Sequence, residues 1–288
     1  MNSVRALLVA CFVFAGASAA FAAETLHFVV MSPTGQSQEG PKYEALGAYL
    51  RSANPILGDI KLRIAKNYPE AASLFAQGDV EGMFSGSLVA SILIAKGLAR
   101  PVARPLSLNG SSTYRTSIVA RQGSAPFSGI ADLRGKRVAY CRLASAGDVF
   151  ILSLLSPGEK PEDVFTPLPS DSHKAALDAV AGGAADYAVV KSTVFVPGEY
   201  PGLVEVGADA AAHPDNTLLM PSATYEKYGA LITRVLLGLE SDTSEKAEAA
   251  KQAFGCRGFI ATAGSDFLPT FTLVRKARID PKTFDFAF

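Results

Sequence analysis

Short apolar runs, partly β-branched, alternate along this chain with stretches whose apolar positions recur every three or four residues. LHFVVM (26–31) has the length and residue types of a strand. In PKYEALGAYLRS, Tyr43, Leu46 and Leu50 fall at helical spacing behind Pro41, a residue suited to a first turn. DIKLRIA (59–65) alternates as a half-buried strand, and YPEAASLFAQG (68–78) reads as a helix stopped by Gly78. VEGMFS (80–85) gives a third strand and LVASILIAKG (88–97) a helix apolar almost all round. This repeating strand–helix unit predicts an α/β domain with a largely parallel sheet.

A second series follows the polar, turn-prone LSLNGSST (106–113). YRTSIVAR (114–121) reads as a strand, FSGIADLRG as a short helix with a glycine stop, KRVAYC (136–141) as a strand and SAGDVFILSLL (145–155) as a helix. SHKAALDAVAGG (172–183) has a helical pattern and ADYAVV (185–190) that of a buried strand. After LVEVG and NTLLMP, the residues Tyr225, Tyr228, Ile232, Val235 and Leu239 mark the buried stripe of a long amphipathic helix. Two such series joined by extended segments predict two lobes with a cleft between them.

The N-terminus stands outside this pattern. A short charged start, the apolar run ALLVACFVFAGASAAF and the small-x-small group Ala20-Phe21-Ala22 predict a secretory signal peptide over 1–22, and so a periplasmic mature protein beginning near Ala23. A lipoprotein reading at Cys11 is disfavoured because only Ala6 to Ala10 precede it as an apolar segment. No later stretch reaches the about 20 apolar residues that span a bilayer. About 265 residues remain, enough for two modest lobes.

Composition excludes more than it suggests. With 27 basic and 27 acidic residues and no basic block, nothing supports a nucleic-acid surface, whose affinity rests on neutralising phosphates. Trp is absent, which argues against a carbohydrate platform of stacked indoles. Two cysteines stay in the mature chain, Cys141 and Cys256; a disulfide and two separate buried thiols are both open. Neither a G-x-G-x-x-G nor a G-x-x-x-x-G-K-[ST] motif occurs, and Ser85 and Ser87 flank Gly86 without forming a G-x-S-x-G elbow. The chain has three histidines, with no H-E-x-x-H and no C-x-x-C, so neither zinc nor any other cofactor has support and no enzyme is expected.

Two strand-to-helix junctions remain as candidate sites. Around 141–147 small residues lead into a helix start, where unpaired backbone N–H groups and a partial positive charge can hold an anion. Ser145 there would cap the helix, donate to an oxyanion, or do both. At the second junction Ser170, Asp171 and Ser172 are all available caps, and His173 enters the first turn as a solvated histidine or a donor.

The ordered set YRTSIVAR, SGIADLRGKRVAYCRLASAG and SDSHKAALDAVAGGAADYAVV resembles the periplasmic phosphate/phosphite/phosphonate-binding proteins of ABC transporters, a branch of the type II solute-binding fold. More weakly the likeness extends to LHFVVMSPTG and NTLLMP, so it covers most of the mature chain. It implies a two-lobed α/β protein, each lobe a mixed, mostly parallel sheet flanked by helices, with lobe 1 at 24–113 and 217–288 and lobe 2 at 114–216. It also implies that Tyr114 faces the ligand, that Ser145, Ala146 and Gly147 form the anion-binding helix start, and that His173 donates to the oxyanion. Asp186 would meet a ligand ammonium, and Ser85 and Ser87 would face the cleft from lobe 1. The chain departs from the family where relatives carry Ser-Thr-Ser-Gly and it carries Ser-Ala-Gly-Asp. Two hydroxyl donors are lost, each worth about 1.5–3 kcal/mol as a charge-assisted hydrogen bond, and Asp148 adds a negative charge. The implied function is capture of a phosphate-like oxyanion by a monomer that delivers it to a membrane ABC permease. The rival is a sensory protein signalling to a membrane histidine kinase, with Cys141 or Cys256 touching a thiophilic solute.

Overall fold

A computed structural model describes residues 24–31 and 40–286. The expected signal peptide, with Cys11, lies outside the described residues. Among those described, no helix is long and apolar enough to cross a membrane.

The strands are β1 (Glu24–Met31), β2 (Leu57–Ala65), β3 (Gly82–Ser85), β4 (Ala99–Ser107), β5 (Thr113–Tyr114), β6 (Thr116–Arg121), β7 (Arg137–Cys141), β8 (Thr166–Ser170), β9 (Tyr187–Lys191), β10 (Leu203–Ala208), β11 (His213–Pro214), β12 (Thr217–Pro221) and β13 (Cys256–Ala261). They form one sheet in the order β13-β4-β12-β3-β1-β2, a second in the order β10-β6-β9-β7-β8, and a two-stranded ladder β11-β5. Among the described residues, parallel pairing is confined to β1 with β2 and β3, and to β7 with β8 and β9. The other pairs are antiparallel, because strands arriving from distant parts of the chain join the local strand–helix units. The chain passes between the sheets at the short ladder, where Tyr114 pairs with His213.

Strand alternation distributes side chains to two faces. Leu26, Phe28 and Val30 enter a core under the helices Gly40–Ala53, Ala230–Gly238 and Glu245–Phe254, while Val29 points the other way. In the second sheet Ile118, Val138, Tyr140, Tyr187 and Val189 enter the same core as Val29, while Val119, Ala139, Ala188 and Val190 pack with Leu177 and Val180 of the helix His173–Ala181. Both faces are covered, so these strands read as nearly continuous apolar runs. The helix Ser87–Ala95 is apolar almost all round because it lies in the core shared by both sheets; Leu88, Ile92 and Leu93 are each 1% exposed or less. Burying such a side chain stabilises by about 1.5–3 kcal/mol.

Three elements differ from the sequence pattern. β4, ARPVARPLS, lies inside the first sheet despite Pro101 and Pro105; β12 shifts register beside Pro101, while Pro105 stands in regular register opposite Phe259 of β13. β8, TPLPS, tolerates its prolines as an edge strand. The long helix expected from Tyr225 runs without a break from Ser222 to Gly238, but opens into one wider turn over Tyr225–Gly229.

Candidate ligand-binding site

Three hydroxyls from separate parts of the fold meet in one buried group. β3 ends at Ser85, Gly86 stays extended, and Ser87 begins the helix Ser87–Ala95 without a side-chain cap. Freed from capping, Ser87 Oγ lies 2.9 Å from Ser145 Oγ and hydrogen-bonds Tyr114 Oη. Ser87 belongs to the first sheet's connections, Ser145 to the second's, and Tyr114 to the ladder between them. Ser87 and Ser145 are each 1% exposed and Tyr114 6%. Each hydroxyl offers one donor and two acceptor lone pairs, so the trio can turn its protons toward one another or toward an acceptor placed among them. Burial pushes the Tyr114 phenol up to about 12 against the opposing bonds from Ser87 and Ser145, so it is a neutral donor at physiological pH.

Around Tyr114 stand charged and imidazole groups from β9 and β11. Lys191 Nζ lies 4.7 Å from the Tyr114 ring centroid, in cation–π range, and pairs with Asp215. The His213 ring lies 5.6 Å from that of Tyr114, and its Nδ1 is 3.0 Å from Thr270 Oγ1. His213 is fully buried, its Nε2 has no hydrogen-bond partner among the described residues, and burial holds its pKa below the usual histidine range. His173 begins its helix behind Ser172, whose Oγ accepts the Ala175 amide. Its Nδ1 accepts from the Lys191 amide at 3.4 Å. Burial and then the Lys191 charge push His173 down to about 4, so the ring is neutral, with its proton on Nε2.

The junction at 141–149 is not the helix start that the sequence suggests. Ser145–Val149 forms a wide turn with non-helical backbone at Ala146 and Gly147, and the regular helix spans only Phe150–Leu154. Ser145 therefore caps nothing; its hydroxyl reaches Ser87 instead. Gly147 is required by space, since a Cβ there would lie 2.1 Å from the Cys141 carbonyl oxygen. The turn is organised by Asp148, whose carboxylate accepts from the amides of Leu143 (2.8 Å), Ala144 (3.1 Å) and Val149 (2.9 Å). Burial raises Asp148 to about 6 even though these amides pull it down. The amides of Ser145, Ala146 and Gly147 have no acceptor among the described residues beyond the turn itself.

The remaining expected residues are dispersed. Ser85 is buried, but among the described residues its hydroxyl reaches only the neighbouring Gly86 carbonyl, at 3.3 Å. Asp186 is not at the cleft. It precedes β9 and accepts from the Arg137 amide, Nε and Nη2, the last at 2.7 Å. Five residues of strand, about 16 Å at 3.3 Å each, separate it from Lys191. Its committed ion pair, which holds its pKa low, leaves it no role toward an ammonium. Arg142, next to the turn, pairs with Asp171 at the surface, at 2.7 Å. Cys141 and Cys256 are free thiols in different sheets, pushed up to about 12 and about 11 chiefly by burial. The residues missed from sequence are Lys191, His213, Asp215 and the amide-holding role of Asp148. Lys191 was legible in principle, because ligands of open α/β sheets sit at the carboxyl ends of strands and Lys191 closes β9.

Comparison with known proteins places this geometry. No curated protein sequence is similar enough to count as a relative. PhnD1 from Prochlorococcus marinus, solved with methylphosphonate, superposes with a TM-score of 0.70 at 16% identity, covering 88% of this chain and 98% of that one. A binding-protein component of an ABC phosphonate transporter from Pseudomonas aeruginosa gives 0.70 at 14% identity, covering 88% and 87%. A histidine kinase sensor domain with similarity to periplasmic binding proteins gives 0.53 at 19%, covering 82% and 98%. These likenesses establish the two-lobed type II binding-protein fold. The family model for the phosphonate ABC transporter periplasmic substrate-binding protein matches residues 28–267, and with most of its length so matched the chain belongs to that family of solute-binding proteins.

Proposed function

We propose that this chain captures a small tetrahedral oxyanion of the phosphonate class between its two sheets and presents it to a membrane ABC permease, with no chemistry of its own. The observation that carries the reading is the buried meeting of Ser87, Tyr114 and Ser145. An oxyanion among these hydroxyls would accept from all three and from the free amides of Ser145, Ala146 and Gly147. Because the donors come from both sheets and from the ladder joining them, such a ligand stabilises the closed arrangement selectively, which is what shifts a hinge equilibrium. On this reading lobe 1 comprises 24–113 and 217–288 and lobe 2 comprises 114–216, hinged beside Tyr114 and His213. The helix Leu268–Lys276 packs on elements of both, touching the helices Ser87–Ala95 and Phe150–Leu154. Neutral His173 would add a donor through Nε2 as the lobes close.

The protein reaches the periplasm through a leader cleaved after Ala22 and acts as a monomer. Calorimetry with phosphate, phosphite, methylphosphonate, aminoethylphosphonate and methanesulfonate tests the capture. At a hundredfold excess over Kd a true ligand stabilises by about 2.7 kcal/mol, which raises Tm by several degrees. No heat and no thermal shift with any of the five would refute it. The likeness to a histidine kinase sensor domain supports a second reading, presentation of the bound form to a kinase. A neighbouring permease and ATPase in the genome favour transport, and a neighbouring kinase with a periplasmic domain favours sensing.

A further inference from the structure

Three amides that could serve a bound anion are already spent on one within the protein. Leu143, Ala144 and Val149 donate to the Asp148 carboxylate, which is 7% exposed and has no cationic side chain in salt-bridge range among the described residues. Arg142, the nearest cation in sequence, is turned to Asp171. Lys191 is balanced by Asp215 and His173 is neutral, so neither offsets Asp148. Its field reaches the buried groups around the turn: it helps raise the pKa values of Cys141, Tyr140 and Tyr68, the last of which also feels Tyr114. Asp148 follows Ser145 by three residues in one turn, so any anion held by Ser145 sits in this field.

We infer that Asp148 is a specificity-determining residue that restricts the site to oxyanions bearing a single negative charge, such as sulfonates or singly ionised phosphonates, and excludes the dianion. The inference rests on the oxyanion-capture reading. Its cause is electrostatic. The hydroxyls and amides of the site offset one ligand charge, whereas a second charge doubles the repulsion from a carboxylate in a poorly solvated turn. With the folded-state pKa of Asp148 at about 6, that carboxylate is ionised at neutral pH.

Methanesulfonate and methylphosphonate separate charge from shape, because both are tetrahedral and methyl-bearing and only the second becomes a dianion. Calorimetric titration of the full mature chain, buffered well above the second ionisation of methylphosphonate, should show methanesulfonate binding at least tenfold more tightly. Asp148→Asn should narrow that ratio at least tenfold, and Asp148→Ser, a smaller neutral acceptor, serves if the first variant does not fold. The inference is overturned if the wild-type protein binds the dianion as tightly as the sulfonate, or if the ratio survives neutralisation of Asp148; oxyanion capture then still stands. If neither ligand binds the wild-type protein but another of the five oxyanions does, the inference is overturned; if none of the five binds, the capture reading falls and takes this inference with it.

Discussion

Asp148→Asn should make folding stability less sensitive to pH in a direction and amount that the turn at 143–149 dictates. The wild-type carboxyl moves from 3.8 in the unfolded chain to about 6 in the folded one. A raised folded value means that its contribution is fully present below pH 3.8 and is lost as pH rises toward 6, because the folded state holds the proton that the unfolded state has released. A little over two pK units at 1.36 kcal/mol each make about 3 kcal/mol, and the near-complete burial of the group leaves little solvent screening to reduce it. The lowered carboxylates Asp132, Asp186, Asp242 and Asp266 titrate below this window. His173 and His213, both depressed, change in the opposite sense within it, and both are common to wild type and variant. The quantity to measure is therefore the stability difference between variant and wild type, from urea unfolding at pH 4 and pH 7. The asparagine loses at least one amide acceptor at every pH, which shifts the difference by a constant. Because the unfolded carboxyl is already partly ionised at pH 4, the variant should gain about 2.4 kcal/mol of this relative to wild type between pH 4 and pH 7. A difference independent of pH would show that Asp148 is not a buried ionisable group and would refute the reasoning.

Other perturbations test separate parts of the structure. Ser87→Ala removes the hydroxyl that joins the two sheets; oxyanion affinity measured by calorimetry should fall about tenfold to a hundredfold, the equivalent of one charge-assisted hydrogen bond, with the near-ultraviolet circular dichroism unchanged. Gly147→Ala drives a methyl to 2.1 Å from the Cys141 carbonyl oxygen, and such overpacking should cost about 1–3 kcal/mol in urea unfolding and abolish binding. Arg104→Met removes the partner of Asp266 at 2.8 Å and of Thr262 at 3.0 Å; with Asp266 a third exposed, the loss should be about 2 kcal/mol by the same assay. His173→Gln should flatten the rise in stability that the depressed histidine gives between pH 4 and pH 6.5, a rise of about 3 kcal/mol by linkage.

The strand–helix alternation located the elements well wherever both the period and the residue types agreed. β1, β2, β6 and β9 and the helices Gly40–Ala53 and His173–Ala181 lie within a few residues of their sequence patterns. β4 and β8 went unread because proline argues against strands locally, while the edge position of β8 and the register shift beside Pro101 of β4 exist only in the assembled sheets. The mostly parallel pairing expected is found for β1 with β2 and β3 and for β7 with β8 and β9, strands that follow one another in the strand–helix series. β12 and β13 return from far along the chain, and their direction is a property of topology rather than of any window.

For the site, residue types at the strand-to-helix junction were enough to single out Ser145, because a hydroxyl at a helix start is visible as sequence, while Tyr114 and Ser87 came from the family resemblance. Contact among the three was not visible there, since 58 residues separate Ser87 from Ser145 and only the packing of both sheets on the helix Ser87–Ala95 brings them together. Asp186 failed for the complementary reason. Its motif is local, but whether it stands at the ligand end of β9 depends on strand direction, and it stands at the other end beside Arg137. By itself the sequence determined the α/β class, the absence of familiar catalytic motifs and the exchange of two donor hydroxyls for an acid. Only the tertiary structure decided what that acid does, because a carboxylate finds its amides through the fold of the turn at 143–149, where the chain passes so close to Cys141 that no side chain fits at Gly147.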